Sequence, residues 1–481
     1  MTVTTAYQAS EPIHFDFALL RKAFRYFALT LVVVAPITRD PFVVMACGVM
    51  PWMVLGLIDR PRMPAVVVYY LLYLWLEAAA RVLLTWLDNE ALGDGMYGQE
   101  LYRAFWYSMA SLVVLAIALR LCLGTLPVPS PAQLYAHRRW PLRTLFYLYL
   151  GAVPLAALMT PLSYALGSSL SQPVMALASL KYVIIFMLFA TALSTGTGSR
   201  LIVVVLVIEM VIGFTGLFSG FKSVFIALLV AALSLRIPLR LSNLVGGAAA
   251  VGLLVISTLF WTAVKQDYRE FATGFSSTQG ITASFTDRAG LLVERAVHPG
   301  DIDWSTAADG TLRRLAYIDF FGAVIGIAES APEPVAFARW RDALEHVAKP
   351  RVFFPQKAAL DDNEIFLRYV RGEVSEEARV GTSISVGYLA ENFIDFGFPG
   401  MLIPIAALGL LLGLILRYFV TRSIPWAVGE GFVVAIILNF SSGMELSLAK
   451  YLGASLLPFA VFALFIKFIY PSIGRWLSPR G

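Results

Sequence analysis

The sequence predicts an all-α membrane protein with about twelve transmembrane helices and one large loop outside the membrane. Of its 481 residues, 58% are apolar and 14% are charged, and the mean hydropathy is +0.74. Soluble domains average about 45–50% apolar and about 25% charged residues, so lipid must solvate most of this chain. The apolar runs are continuous and lack the alternating pattern of an outer-membrane barrel, which indicates helical spans.

About twelve spans are expected, because a helical crossing takes about 20 apolar residues. They are predicted at residues 24–37, 42–58, 63–87, 104–123, 144–165, 173–194, 200–218, 223–236, 243–264, 399–419, 425–446 and 452–470. Nine of these spans fall in residues 1–264 and three in residues 399–481. Residues 265–398 are expected to form one large loop domain between the two groups.

The distribution of basic residues predicts the orientation of the spans. Short cytoplasmic loops collect Lys and Arg, whereas translocated loops do not. Basic residues flank alternate connections, for example at Arg60, Arg138, Arg240 and Arg417, whereas the connection 88–103 is mostly acidic. Both termini are therefore expected in the cytoplasm, and the large loop is expected outside.

The large loop is the most polar part of the chain. Residues 265–380 carry 14 Lys or Arg and 18 Asp or Glu, and no run there is long enough to cross a membrane. Helical spacing predicts short helices at 315–328 and 335–347, and the alternation of apolar and charged residues in the second predicts that Arg339 is a solvated cation. An acidic cap predicts another helix that begins near Asp361 and ends before Gly372. The loop is expected to be ordered.

The composition of the loop favours anion binding by arginine and lysine. The loop has no HExxH, no His and Cys cluster with metal spacing, no Gly-x-Ser-x-Gly and no phosphate-binding glycine-rich loop, so no metal site is expected. Guanidinium groups bind phosphates bidentately. Candidates are Arg288, Arg313 and, at the outer end of the seventh span, Lys222. The alternative is that each cation pairs with an acid or extends to the headgroups.

A proline-bounded cationic segment lies at residues 349–357. Its sequence, KPRVFFPQK, holds two phenylalanines between two prolines, with Arg351 and Lys357 on either side. Proline restricts the backbone, so the segment is predicted to hold two cations rigidly at a membrane interface. The alternative is an interfacial anchor, with Phe in lipid and Lys at the headgroups.

Residues 382–400 contain the candidate catalytic acid. Their pattern is helical but interrupted by polar residues, which is typical of a re-entrant helix or of a helix at the outer boundary. Glu391 and Asp395 lie four residues apart and share one helical face. A charge at the bilayer centre costs about 2.5–3.5 kcal/mol, so such acids usually face a cavity or a partner. Asp395 alternatively caps the turn at Gly397.

Four charged residues inside the spans are expected to form ion pairs. Glu77 and Arg81 lie four residues apart in the third span, which predicts an intrahelical pair. Lys181 and Glu209 have no partner nearby in sequence and are expected to meet between neighbouring helices.

These features together resemble the oligosaccharide repeat-unit polymerases, the Wzy-like enzymes of bacterial surface-polysaccharide assembly. The resemblance covers roughly residues 200–420. Its motifs are the turn Ser219-Gly220-Phe221-Lys222, the segment PRVFFPQK at 350–357, Thr382-Ser383, and GYLAENFIDFG at 387–397. Lys222 departs from the pattern, because relatives often carry Arg there.

The resemblance implies a metal-independent glycosyltransferase with GT-C-like helical architecture in the bacterial inner membrane, without a cofactor. It implies that an undecaprenyl-diphosphate-linked growing chain is transferred to the non-reducing hydroxyl of the next lipid-linked unit. Glu391 is then the expected general base, and Arg351 is expected to neutralise the leaving diphosphate. The expected substrate-binding residues are Lys357, Arg288, Arg313, Lys222, Thr382, Ser383, Tyr388 and Asp395.

The expected partners are membrane lipids, a flippase and a chain-length regulator, with no nucleic acid. Two other functions stay open. A lipid-linked polysaccharide ligase would use the same donor chemistry with a different acceptor. A transporter or flippase would show inverted repeats and broken helices without a large loop, and the sequence shows the loop and no repeat.

Overall fold

The computed structural model describes residues 14–95, 97–127, 129–165, 171–216, 220–274, 281–331, 337–349, 353–354, 356–357, 362–370 and 384–477. Every regular element in these residues is helical, and an isolated bridge between His14 and Pro238 is the β-type pairing present in them. The predicted all-α class is therefore confirmed.

The helices lie where the apolar runs predict them. Before the loop region they are α1 (Phe17–Val34), α2 (Pro41–Ile58), α3 (Ala65–Leu87), α4 (Gln99–Leu123), α5 (Pro131–Tyr135), α6 (Leu142–Ala165), α7 (Ser171–Ala178), α8 (Leu180–Thr195), α9 (Ser199–Phe214), α10 (Lys222–Ser234) and α11 (Leu241–Thr273). In the loop region they are α12 (Phe285–Val297), α13 (Trp304–Leu315), α14 (Tyr317–Ser330), α15 (Ala338–Ala348), α16 (Asp362–Tyr369) and α17 (Tyr388–Gly400). After it come α18 (Leu402–Val420), α19 (Trp426–Leu438), α20 (Leu448–Phe468) and α21 (Tyr470–Leu477).

Eight segments of the described chain are long and apolar enough to cross a membrane. They are α2, α3, α4, Leu142–Met159 of α6, Pro173–Thr195 across α7 and α8, α11, α18 and α20. This finding supports a membrane-embedded helical protein. The count of twelve stays a prediction, because the helices at the other four predicted positions are shorter or more charged.

Those four helices are α1, α9, α10 and α19. Helix α1 carries Arg21, Lys22 and Arg25, and α9 has 16 residues. Helices α10 and α19 have 13 residues each, or about 20 Å at about 1.5 Å per residue, whereas the hydrocarbon layer is about 30 Å thick. Helix α19 is buried from Ala427 to Leu438 against its neighbouring helices.

The pair α4 and α18 packs tightly because small residues line their contact. A Cβ added at Gly409 would lie 2.8 Å from Cβ of Ala118, and one at Gly413 would lie 2.7 Å from Cβ of Cys122. Small residues four apart allow two helix backbones to approach closely in lipid, where packing rather than water exclusion drives association.

The loop region is folded onto the bundle. The helices expected at 315–328, at 335–347 and from near Asp361 are confirmed as α14, α15 and α16. Helix α14 buries Tyr317, Phe321 and Val324 and packs on α3, α4 and α17. Helix α11 continues through residue 265, where the loop domain is predicted to begin, and ends at Thr273, where Gly274 adopts a left-handed conformation.

The structure confirms one predicted ion pair and corrects the other. Lys181 Nζ lies 2.8 Å from Glu209 Oε2, which joins α8 to α9. The intrahelical pair of Glu77 with Arg81 is wrong: Arg81 lies 3.6 Å from Asp319 on α14. Glu77 instead accepts the backbone N–H of Met444 at 2.7 Å. A buried backbone N–H needs an acceptor, and Glu77 supplies it for Met444.

Candidate functional site

Residues 439–447 connect α19 to α20, include a short 3-10 helix at Gly443–Glu445, and are held against the bundle by side chains. Glu77 accepts one backbone N–H from it, and Tyr73 Oη donates to the carbonyl of Ser441 at 3.2 Å. Gly443 has φ of +52°, and a side chain there would collide with the Glu77 carboxylate. This connection forms the floor of the candidate site.

Glu391 lies on α17 directly beside this floor. Its side chain is 4% exposed, and its Oε2 accepts the backbone N–H of Leu448, the first residue of α20, at 3.0 Å. Burial raises the pKa of the Glu391 carboxyl to about 8, although the Leu448 hydrogen bond opposes this. Nearby Asp362 raises the pKa further, and Arg339 lowers it. A carboxyl poised near neutral pH suits proton transfer.

Glu391 forms part of the wall of a polar cavity of about 680 Å³, which we call the Glu391 cavity. Both signs of charge line it. The cationic and histidine side chains are Arg339, His346, Lys349 and Lys357, and the acids besides Glu391 are Asp342, Glu345, Asp362 and Glu364. Two phenylalanines complete the wall, Phe353 and Phe354, and their side chains are exposed. The arrangement can hold an anionic group close to a buried carboxyl.

Lys357, a predicted phosphate ligand, lies in this cavity. Its Nζ donates to the backbone carbonyls of His346 and of Lys349, the latter at 3.1 Å. Lys357 thereby places its charge at the C-terminal end of α15, where the helix dipole favours a cation. Three other predicted site residues lie outside the described residues: Arg351 of the segment 350–357, and the pair Thr382 and Ser383.

Asp395 does not line the cavity but positions a residue that does. Its two carboxylate oxygens accept the backbone N–H groups of Arg339 at 3.1 Å and of Trp340 at 2.9 Å, so Asp395 caps α15 from a different helix. Asn392 Oδ1 also accepts Nε1–H of Trp340, at 2.8 Å. These bonds fix the first turn of α15 against α17.

Arg339 shows where the sequence interpretation fails. Its position on an amphipathic helix predicts a solvated surface cation, yet its side chain is 16% exposed, faces the Glu391 cavity and lies 3.5 Å from Asp342. The capping by Asp395 causes this, because it turns the start of α15 towards α17. The spacing of Arg339, Asp342 and His346 at three and four residues is the sequence signal that indicates a shared polar face.

Tyr388 lies behind Glu391, away from the described cavity wall. Its side chain is 1% exposed and its ring packs against that of Tyr451, with centroids 5.0 Å apart. Its backbone N–H donates to the carbonyl of Leu446 at 2.7 Å. The structure therefore places Tyr388 as a packing residue that joins α17 to the α19–α20 connection.

The remaining three predicted phosphate ligands lie on other helices, outside the Glu391 cavity. Arg288 on α12 donates to the backbone carbonyl of Thr215 and, at 3.3 Å, to Tyr268 Oη. Arg313 on α13 pairs with Asp309 at 2.6 Å on an exposed surface. Lys222 begins α10. The predicted site residues therefore do not all meet in one cavity: Glu391 and Lys357 line the Glu391 cavity, and these three lie elsewhere.

A second, mostly apolar cavity of about 590 Å³ adjoins the first, and we call it the apolar groove. The two share His346 and Ala449 in their walls. Helices α6, α7 and α20 supply most of the groove, with residues that include Val153, Ala156, Met175, Gly453, Leu457 and Pro458. A polar cavity that continues into an apolar groove matches a ligand with a charged head and a hydrocarbon chain.

Comparisons of this chain with family models, with curated proteins and with solved structures found no match. The described residues contain no group of three or more His, Cys, Asp or Glu that is arranged to hold a metal ion. The function is therefore inferred from the two cavities and the side chains that line them.

Proposed function

We propose that the protein is a membrane glycosyltransferase that polymerises undecaprenyl-diphosphate-linked oligosaccharide units at the outer face of the bacterial inner membrane. The observation that carries this proposal is Glu391, a buried carboxyl with a pKa of about 8, in a cavity that is lined by charges of both signs and continues into an apolar groove. The resemblance to Wzy-like polymerases names the substrate class.

The proposed reaction uses Glu391 as the general base. The non-reducing hydroxyl of the incoming unit attacks the anomeric carbon of the growing chain, and Glu391 accepts the hydroxyl proton. The bond from the anomeric carbon to the diphosphate oxygen breaks, and undecaprenyl diphosphate leaves with that electron pair. Cations around the cavity, among them Lys357 and Lys349, stabilise the charge on the leaving group. Arg351 is assigned to the same task by the resemblance.

The apolar groove gives the lipid chain of the donor a place to lie. Its walls are apolar side chains of α6, α7 and α20, so a prenyl chain there would contact protein along one side while its diphosphate reaches the Glu391 cavity. The proposal also includes a GT-C-like architecture with about twelve crossings, both termini in the cytoplasm and the loop region outside.

A lipid-oligosaccharide transporter is the second candidate. Irregular connections between helices line the binding sites of many transporters, and the α19–α20 connection, whose backbone is bound by Glu77 and Tyr73, is such a segment. The two functions differ in what reaches the cell surface. Without a transporter no unit is exported, whereas without a polymerase single units are still exported and attached.

The experiment is deletion of the gene followed by gel analysis of surface polysaccharide. A polymerase predicts single repeat units on the acceptor lipid, a ligase predicts unattached polymer, and a transporter predicts no exported sugar. Complementation with wild type should restore long chains, whereas Glu391→Gln, produced at the same level, should not. Unattached polymer or a complete absence of surface units would reject the proposed polymerase.

A further inference from the structure

Four cations from three helices meet at a position separate from the Glu391 cavity. Lys222 begins α10, Lys265 and Arg269 lie one turn apart near the end of α11, and Arg314 lies near the end of α13. We call them the basic cluster. Arg314 is close enough to the other three to repel each of them electrostatically, and Lys222 and Arg269 also repel Lys265.

Helix packing holds these like charges together. Thr311 Oγ1 on α13 lies 3.0 Å from Thr262 Oγ1 on α11, one turn before Lys265. The ring of Phe221, the residue before Lys222, stacks on Phe214 of α9 with centroids 4.5 Å apart. Phe214 in turn contacts Trp261 of α11. The charges therefore cannot separate without disrupting three helix contacts.

In the described part of the chain, no carboxylate forms an ion pair with Lys222, Lys265 or Arg314. The side chains of these three residues also make no hydrogen bond there. The acids nearest in sequence are engaged elsewhere: Asp267 pairs with Arg295 at 2.8 Å, and Asp309 with Arg313 at 2.6 Å. Repulsion between neighbouring cations is unfavourable, and a bound anion removes it; Lys222, Lys265 and Arg269 are half-buried, and Arg314 is exposed.

We propose that the basic cluster is a second phosphate-binding site, which takes a diphosphate or another doubly charged phosphate group. The planar guanidinium of Arg314 suits bidentate contact with phosphate oxygens, and the lysines add point charges from two other helices. None of the four residues lines the Glu391 cavity, so the cluster is a distinct site.

The cluster is connected to the Glu391 cavity through buried acids and a tyrosine. Arg314 acts electrostatically on Glu445 in the α19–α20 connection, and Tyr317 is in electrostatic range of both Glu445 and Glu391. If the proposed function holds, this arrangement has a chemical use. Each transfer joins two lipid-linked units. The diphosphate of the donor leaves, whereas the acceptor keeps its own diphosphate. The protein must therefore bind two diphosphates at the same time.

The test is binding of inorganic pyrophosphate to the purified full chain in phosphatidylcholine nanodiscs, by calorimetry. We expect Arg314→Gln and Lys265→Gln each to weaken binding at one site by about tenfold or more, because each removes a charge-assisted contact. Arg200→Gln is the matched control: Arg200 is exposed at the start of α9, the end remote from Phe214. Lys357→Gln should leave this site intact, since it belongs to the other cavity.

Thermal unfolding of the same variants separates binding from folding. Removal of one repelling charge should leave the unliganded protein as stable as wild type or more stable, while the stabilisation by pyrophosphate is lost. Identical pyrophosphate titrations in wild type, Arg314→Gln and Lys265→Gln would overturn the proposal. It would also be overturned if the variants were less stable than wild type without pyrophosphate but showed the wild-type rise in unfolding temperature when it is added.

Nanodiscs that also contain phosphatidylglycerol distinguish the two sources of phosphate. If the cluster binds bilayer headgroups, the anionic lipid should compete with pyrophosphate and weaken its apparent affinity in wild type but not in Arg314→Gln. If the cluster takes the diphosphate of a substrate, pyrophosphate affinity should be unchanged. Neither outcome depends on polymerisation, so a chain that binds pyrophosphate but does not polymerise rejects the proposed function alone.

Discussion

Glu391 has two roles in the structure that predict different behaviour. Its carboxylate accepts the N–H of Leu448, which is a structural contact at the start of α20, and it also faces the Glu391 cavity. Gln keeps an acceptor oxygen for the Leu448 N–H but cannot accept a proton as a base. Replacement by Gln therefore removes the chemical role and preserves the structural one.

The first prediction is the pH dependence of wild type and Glu391→Gln on lipid-linked units. The base must be ionised to act, and the pKa of Glu391 is raised to about 8, so turnover should rise with pH and level off above that value. At pH above about 8, Glu391→Gln should lower turnover by about 10²–10⁴-fold with normal protein levels, and the difference should narrow at lower pH, where the wild-type carboxyl is protonated. Near-normal turnover in Glu391→Gln would mean that the residue only supports α20.

The second prediction concerns Arg339, whose positive charge lowers the pKa of Glu391. Arg339→Gln should shift the midpoint of the pH profile of turnover to higher pH, because the ionised carboxylate loses a favourable neighbour. Arg341→Gln is the control, since Arg341 is exposed on the same helix and lies 3.6 Å from the same acid, Asp342. Equal midpoints in the two variants would show that Arg339 does not act on Glu391.

At the scale of elements, helix positions could be predicted because each depends on a local run of apolar residues. The side-chain contacts could not. Asp395 caps a helix 55 residues earlier in the chain, and Glu77 binds a backbone group 367 residues away. Neither partner is visible in helical periodicity. This is why the sequence placed Arg339 in solvent and paired Glu77 with Arg81, whereas it located α14, α15 and α16 correctly.

The third prediction tests the apolar groove as an element built from α6, α7 and α20. A Cβ at Gly453 meets no atom within 4 Å, so Gly453→Trp should fold and place its ring in the groove. Displacing two methylene groups of a prenyl chain costs about 1.6 kcal/mol, so turnover at limiting substrate should fall about tenfold. Gly246→Trp is the matched control, because Gly246 on α11 is exposed and a Cβ there also meets no atom within 4 Å. Equal turnover in the two variants would show that the groove does not hold the lipid chain.

At the scale of the whole molecule, basic side chains join connections at one end of the bundle. Arg417 donates to the carbonyl of Cys122 at 2.6 Å, Arg62 donates to that of Pro127, and Arg21 pairs with Asp59 at 2.9 Å. Helix α14 of the loop region lies at the other end, where its Glu329 pairs with Arg103 near the start of α4. This division agrees with the rule that cytoplasmic loops collect Lys and Arg.

The last prediction follows from that division: the end with Arg138 faces the cytoplasm, and the end with Trp304 faces outside. Both residues are exposed, and both native cysteines, Cys47 and Cys122, are buried, so single cysteines introduced at 138 and 304 should give clean labelling. In intact spheroplasts, a membrane-impermeant maleimide should label Trp304→Cys, and should label Arg138→Cys only after lysis. The reverse pattern would place Glu391 on the cytoplasmic side, where no exported oligosaccharide could reach it, and would reject both the orientation and the proposed polymerase.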